Sequence, residues 1–112
     1  MSSLSVILKY WKNYSQIMRF VVRAAIPTEA GNKMVQDPNF IADMENYIKA
    51  NKVEQAYFLE LNGDRTVVFV MDIASNDRIP AIAEPLFMIG AKVEFNPAMT
   101  FEDLKKGVQS IK

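Results

Sequence analysis

The 112-residue chain carries thirteen basic and thirteen acidic residues, and neither cysteine nor histidine. The cancelled charge argues against the uniform basic field of a nucleic-acid or anionic-membrane binder, and the missing residue types exclude disulfides, thiolate or imidazole metal sites, a cysteine nucleophile and a histidine base. One domain with one core is expected at this length, with no metal, no cofactor, no run approaching the ~20 apolar residues of a membrane span, and a cytoplasmic location as the default.

Residues 1–17 stand apart. Leu4, Ile7, Leu8, Trp11 and Met18 follow a 3/4 spacing with Ser3 available as N-cap. Two readings stand: a helical N-terminal extension, or a mis-assigned start with Met18 as the true first residue. A signal peptide is not expected, because Lys9 follows the apolar run and no small-residue cleavage site comes after it.

Residues 18–26, MRFVVRAAI, alternate as a strand, with Phe20, Val22, Ala24 and Ile26 on one side and Arg19, Val21, Arg23 and Ala25 on the other. Pro27 ends it. The stretch 28–51 is expected to be helical. Thr28 can cap its first turn, and Asp37-Pro38 supplies a second cap at which the helix kinks or restarts. Phe40, Ile41, Met44, Tyr47 and Ile48 form its apolar stripe.

Residues 53–73 hold two apolar runs, about 54–61 and 65–73, flanking Asn62-Gly63-Asp64, which predicts a β-hairpin. A two-residue Asn62-Gly63 turn sets Glu60 beside Arg65. A three-residue loop, Leu61 to Gly63, pairs Glu60 with Asp64, and a one-residue slip exchanges the faces. The second register is the expectation because it sorts polarity better. It groups Ala56, Phe58 and Glu60 with Thr66, Val68, Val70 and Asp72, and sets Tyr57, Leu59, Val67, Phe69 and Met71 opposite.

Ser75 or Asp77 is expected to cap a helix over 77–89, with Pro80 tolerable in its first turn and Pro85 a kink. Gly90 stops it. A fourth strand follows at 91–96, closed by Pro97. Thr100 and Asp103 make a capping box for a last helix over 101–110. The order βαββαβ, with right-handed crossovers, predicts an α+β, ferredoxin-like fold over residues 18–112. Its antiparallel sheet runs in the order 4-1-3-2, both main helices lie on one face, and a C-terminal helix is added.

The face opposite the helices then carries Arg19, Val21, Arg23, Phe58, Glu60, Thr66, Val68, Val70, Asp72, Lys92, Glu94 and Asn96, too apolar for water and too charged for a dry core. A second copy of the sheet is the simplest cover. The stretches AYF-x4-GDRTVVFVMDI and IPAIAEPLFMIGAKVEFNPAMTFEDL resemble those of small uncharacterised proteins of the dimeric α+β-barrel class. The resemblance runs from about Met18 to the C-terminus and implies a homodimer. It brings no established activity and no catalytic set.

Arg23, Arg19, Glu94 and Asn96 are the candidate ligand-binding residues, with Arg23 the anion holder. Asp72, Glu60 and Tyr57 are the candidates for moving a proton. The competing reading has these charges pairing across strands and Tyr57 packing. Two functions follow: a homodimeric small-molecule binder or cofactor-independent enzyme taking a small organic anion inside the barrel, or a non-catalytic ligand-sensing or interaction module of the ACT type. Gly31, near the start of the first helix, is a weak signal for the second. RNA binding through Phe20 and Phe69 is a remote third, since RTVVFVMD lacks the expected glycine-aromatic pair.

Overall fold

The computed structural model describes residues 18–112, so the expectations for residues 1–17 lie outside the described residues. Alternation builds the first element. In β1 (Met18–Ile26), Val22, Ala24 and Ile26 are buried while Val21, Arg23 and Ala25 between them are not. Pro27 takes the N-cap position of α1 (Thr28–Gln36), so Thr28 is a helical residue rather than the cap. The helix stops at Asp37, whose ψ of 122° is extended. A residue before proline is pushed out of the helical region, and Pro38 follows. The Asp37 carboxylate accepts a 2.9 Å bond from the Asn39 backbone N–H. α2 (Phe40–Ala50) then starts afresh, two residues beyond the expected Pro38.

The hairpin corrects the expected register. β2 (Gln55–Leu61) and β3 (Asp64–Ile73) are joined by Asn62-Gly63 alone, and Leu61 faces Asp64 while Glu60 faces Arg65. Both turn residues have positive φ, 54° and 81°. This backbone twists with the flanking strands, which is why Asn-Gly favours it. Sorting by polarity misled because β2 is an edge strand, half-covered on one side and open on the other. Phe58 and Tyr57, on its two sides, are 57% and 56% exposed. Ala56, Phe58 and Glu60 therefore share the face of Val67 and Phe69, and Tyr57 and Leu59 belong to the other.

Beyond β3, Ser75 hydrogen-bonds Asp77 rather than capping a helix, and a 3-10 turn (Asn76–Arg78) leads into α3 (Ile79–Met88). Pro80 sits in the first turn, where no N–H partner is needed, and Pro85 lies within the helix. Gly90, at φ 81°, closes it. β4 (Lys92–Pro97) includes Pro97 as its last residue, tolerated on an edge strand. α4 (Phe101–Gln109) opens with the expected capping box: the Asp103 N–H donates to Thr100 Oγ1 at 3.1 Å, and the Thr100 N–H donates to Asp103 Oδ2 at 3.0 Å. The Thr100 backbone N–H, then its hydroxyl, hold the Asp103 carboxyl below its usual range.

All three strand pairings are antiparallel. The sheet order β2-β3-β1-β4 is 4-1-3-2 read from the other edge. Met34 of α1, Met44, Tyr47 and Ile48 of α2, and Ile82 and Leu86 of α3 pack on the face formed by Val22, Ala24, Val67, Phe69 and Met71. Each large core side chain contributes about 1.5–3 kcal/mol by burial. Tyr47 ties the helix layer together. Its ring lies 5.2 Å from that of Phe69, and its hydroxyl donates a 2.6 Å bond to the Ile82 carbonyl. Burial pushes its hydroxyl up to about 12.

The unfolded tyrosine releases its proton near its ordinary value of 10.0 and the folded one near 12. Between these the native state binds more protons, so stability falls as pH rises through that window. Chemical denaturation across it should show this alkaline loss. Tyr47→Phe should start less stable at neutral pH by about 1 kcal/mol and should lack the Tyr47 component of the loss.

Candidate functional site: the uncovered sheet face

α1, α2 and α3 occupy one side of the sheet, and among the described residues none of the hydrophobic core cluster comes from the other side. Period-two alternation assigns that second face. β1 supplies Arg19, Val21, Arg23 and Ala25. β3 supplies Thr66, Val68, Val70 and Asp72. β4 supplies Lys92, Glu94 and Asn96, and β2 supplies Gln55, Tyr57 and Leu59. Two expected members, Phe58 and Glu60, are on the helix side for the register reason above.

The register also decides which charges meet. Arg23 lies opposite Glu94 on one side and Val68 on the other, and Arg23 Nη2 donates to Glu94 Oε2 at 2.5 Å. Arg19 lies opposite Asp72, with Nε 3.5 Å from Asp72 Oδ1 and Nη2 2.5 Å from Glu54 Oε2. Asp72, a candidate for moving a proton, therefore lies beside Arg19 and not beside the candidate anion holder Arg23. Asn96 stands beside Val21 on the β4 edge. Both arginines are partly exposed, at 34% and 41% of the side chain, so solvent screens these pairs and each contributes at most about 1 kcal/mol. The face thus consists of two ion-pair clusters separated by Val21, Val68 and Val70, with Tyr57 and Leu59 along the β2 edge. Tyr57 is 56% exposed.

Glu54 escaped the sequence reading. It precedes β2 but extends the ladder, its N–H donating to the Val70 carbonyl at 2.8 Å, and this brings its carboxylate to Arg19. The readable signal was the alternation Glu54, Ala56, Phe58, which points to the helix side; its position past the end of the strand releases it from that pattern.

Arg65 was also missed. It projects to the helix side, where Nη1 donates to the Thr28 carbonyl at 3.3 Å and Nη2 to Asn32 Oδ1 at 3.0 Å. Among the described residues it forms no ion pair within 4.0 Å. Gly31 makes room for it: a Cβ there would sit 2.6 Å from Arg65 Nη1 and 3.1 Å from its Cδ. Gly31 thus has a packing reason independent of any ligand loop. Phe69, one of the two aromatics weighed for base stacking, is fully buried, and Phe20 meets Phe95 edge-on at 6.3 Å within the helix-side core.

Two clefts lie on the helix side. A groove of about 610 Å³ runs among α1, α2 and α3, and a second of about 490 Å³ lies between α1, α2 and the β2 edge, reaching Glu60 and Arg65. Among the described residues no three metal-ligating side chains converge, and no helix is long and apolar enough to cross a membrane. The chain matches no protein-family model, and comparison with curated proteins and with solved structures likewise gives no match.

Gly31→Ala gains about 1 kcal/mol of helix propensity and displaces a guanidinium whose two bonds are worth about 1.5–3 kcal/mol each at most. In the wild-type background that gain should be reduced or lost, because the Arg65 guanidinium must shift. In an Arg65→Ala background, with the clash removed, it should be stabilising. Equal effects in a denaturation double-mutant cycle would show that Gly31 is not there for Arg65.

Proposed function

We propose that the protein is a homodimer in which two ferredoxin-like sheets pack face to face, as in the dimeric α+β-barrel class, and that the polar part of the enclosed space binds a small organic anion. The supporting observation is the uncovered face itself. Val21, Val68, Val70, Tyr57 and Leu59 form a contiguous apolar surface of the kind that marks interaction sites. Burying it contributes about 1.5–3 kcal/mol per large side chain. Desolvating the two ion-pair clusters beside it opposes that gain, so the clusters stay polar and water-filled while the valine centre between them closes.

Within that space Arg23 is the anion holder. It sits on a central strand, stays charged at any working pH and presents a planar fork. Its partner Glu94 is exposed and can yield to a ligand carboxylate. Asn96 stands diagonally from it, beside Val21, and Arg19 lies beyond Val21 in the other cluster. Asp72 and Tyr57 are the groups on this face able to move a proton should a reaction follow binding; Glu60, on the helix side, is outside this pocket. A non-catalytic sensing or interaction module is the second reading. It is favoured by one observation: both arginines of the face already meet carboxylates, while the two clefts lie on the helix side.

Val70, opposite Val21 and Gln55, is the cleanest interface probe, because the other central valine, Val68, has Arg23 as neighbour. Sedimentation at micromolar concentration should show a dimer, and Val70→Lys should dissociate it by placing an unpaired cation in the interface. A wild-type monomer under those conditions removes the dimer reading.

The ligand is tested separately, by thermal shift with benzoate, succinate, citrate and phosphate. At least one organic anion should stabilise the wild type. Replacing the whole pair, Arg23→Met with Glu94→Leu, should abolish that shift while leaving dimerisation and melting nearly unchanged, since apolar replacement of both partners of an ion pair is often tolerated whereas removal of one is not. A wild type indifferent to all four leaves the interaction-module reading in place.

A further inference from the structure

The two edge strands of the sheet are built differently. β4 has the features that keep an edge from pairing: it is six residues long, it alternates Lys92, Glu94 and Asn96 with its core residues, and it ends on Pro97. β2, QAYFLEL, is seven residues long with no proline and no basic side chain, and its one charge is Glu60. Tyr57, Phe58 and Leu59 at its centre are 56%, 57% and 41% exposed. An exposed apolar edge of this kind is a template for another strand.

We propose that β2 pairs with β2 of a second copy of the chain, antiparallel and centred on Phe58. The backbone supplies the first argument. A two-residue loop is closed by the hydrogen-bonded pair that flanks it, here Leu61 and Asp64. Bonded and open positions alternate along an antiparallel strand, so Gln55, Tyr57 and Leu59 also turn their backbone groups to β3, and Ala56, Phe58 and Glu60 turn theirs outward. Centred on Phe58, these outward groups meet: Phe58 exchanges bonds with Phe58 of the second copy, and Ala56 exchanges them with Glu60. Charge fixes the register. Centring on Glu60 would set two carboxylates directly opposite, which destabilises a sheet, and centring on Ala56 would waste Phe58 on Glu54, beyond the end of the strand. Side chains agree. Tyr57 meets Leu59 on one face, and on the other Phe58 adjoins Ile41, 68% exposed, in the cleft beside the edge, so the second Phe58 meets an apolar surface. Pairing of β2 with β2 closes at two copies, whereas β2 on β4 would run on as an open chain. The contact is smaller than a standard interface, so it forms above micromolar concentration. It uses the backbone edge and does not depend on the face-to-face reading.

Val70→Lys removes any contact through the sheet face, so each copy of that variant presents one β2 edge. Its sedimentation from micromolar to millimolar concentration should show a twofold rise in mass that stops at two copies. Adding Phe58→Lys, which sets two cations opposite each other at an exposed position, should abolish the rise. Adding Phe101→Ser with Leu104→Ser, on the exposed stripe of α4, should not. Circular dichroism and melting of each variant show that the fold persists. In the wild-type chain, amide hydrogen exchange reads the register. Raising the concentration should slow exchange severalfold at Ala56, Phe58 and Glu60 and leave Gln55, Tyr57 and Leu59, already bonded to β3, unchanged. A mass that does not rise with concentration, or that rises past two copies in Val70→Lys, would overturn the proposal. So would a rise that survives Phe58→Lys or is lost with the α4 substitutions, and so would exchange at Ala56, Phe58 and Glu60 that ignores concentration.

Discussion

The pairing of β1 with β3 is the constraint on which the structure depends. These two strands are the centre of the sheet, and their register sets Val22 against Phe69, Ala24 against Val67 and Phe20 against Met71. The helix layer packs on this row, which includes the most completely buried side chains among the described residues. Strand side chains alternate with period two, so committing that row to the core commits Arg19, Val21, Arg23, Val68, Val70 and Asp72 to the other face. The candidate site is therefore a consequence of core formation. A one-residue slip of β1 on β3 would bury two arginines beneath the helices, which is why the register is sharply specified.

The edges of the sheet behave differently. β4 is short and ends at a proline, and β2 is exposed on both of its faces along much of its length. With burial too weak to specify β2, the turn does it: Asn62 and Gly63 accept positive φ, and the hairpin closes on two residues. This local choice moves Tyr57 and Leu59 to the uncovered face and Glu60 to the helix side. Two backbone positions thus redistribute the candidate chemistry between two surfaces more than 20 residues of contour away from Arg23 in sequence, without any change in the residues that carry it.

The two surfaces also differ in how their charges are held. On the sheet face each guanidinium is matched to a carboxylate across a strand pair. On the helix side Arg65 is held by a backbone carbonyl and an amide oxygen, in space that exists because residue 31 has no side chain. Neutral acceptors orient a cation without cancelling its charge. Arg65 thereby serves as a strut between β3 and the first turn of α1.

Sequence alone determined the element order, the extent of β1, the existence of the hairpin, the capping box at Thr100 and the sheet order, because each follows from a local period or from a residue whose backbone is restricted: proline, glycine, or a short polar cap. It also placed Arg19, Arg23, Val68, Val70, Asp72, Glu94 and Asn96 on one face. Only the tertiary structure decided which of those charges touch. Cross-strand partners depend on register between strands far apart in the chain, and polarity is a poor guide to register on a half-covered edge strand. Hence Asp72 meets Arg19 rather than Arg23, Glu54 joins the site from beyond the end of its strand, and Gly31 answers to an arginine on a distant strand. Those contacts are set by packing between elements, and no window of sequence contains both partners.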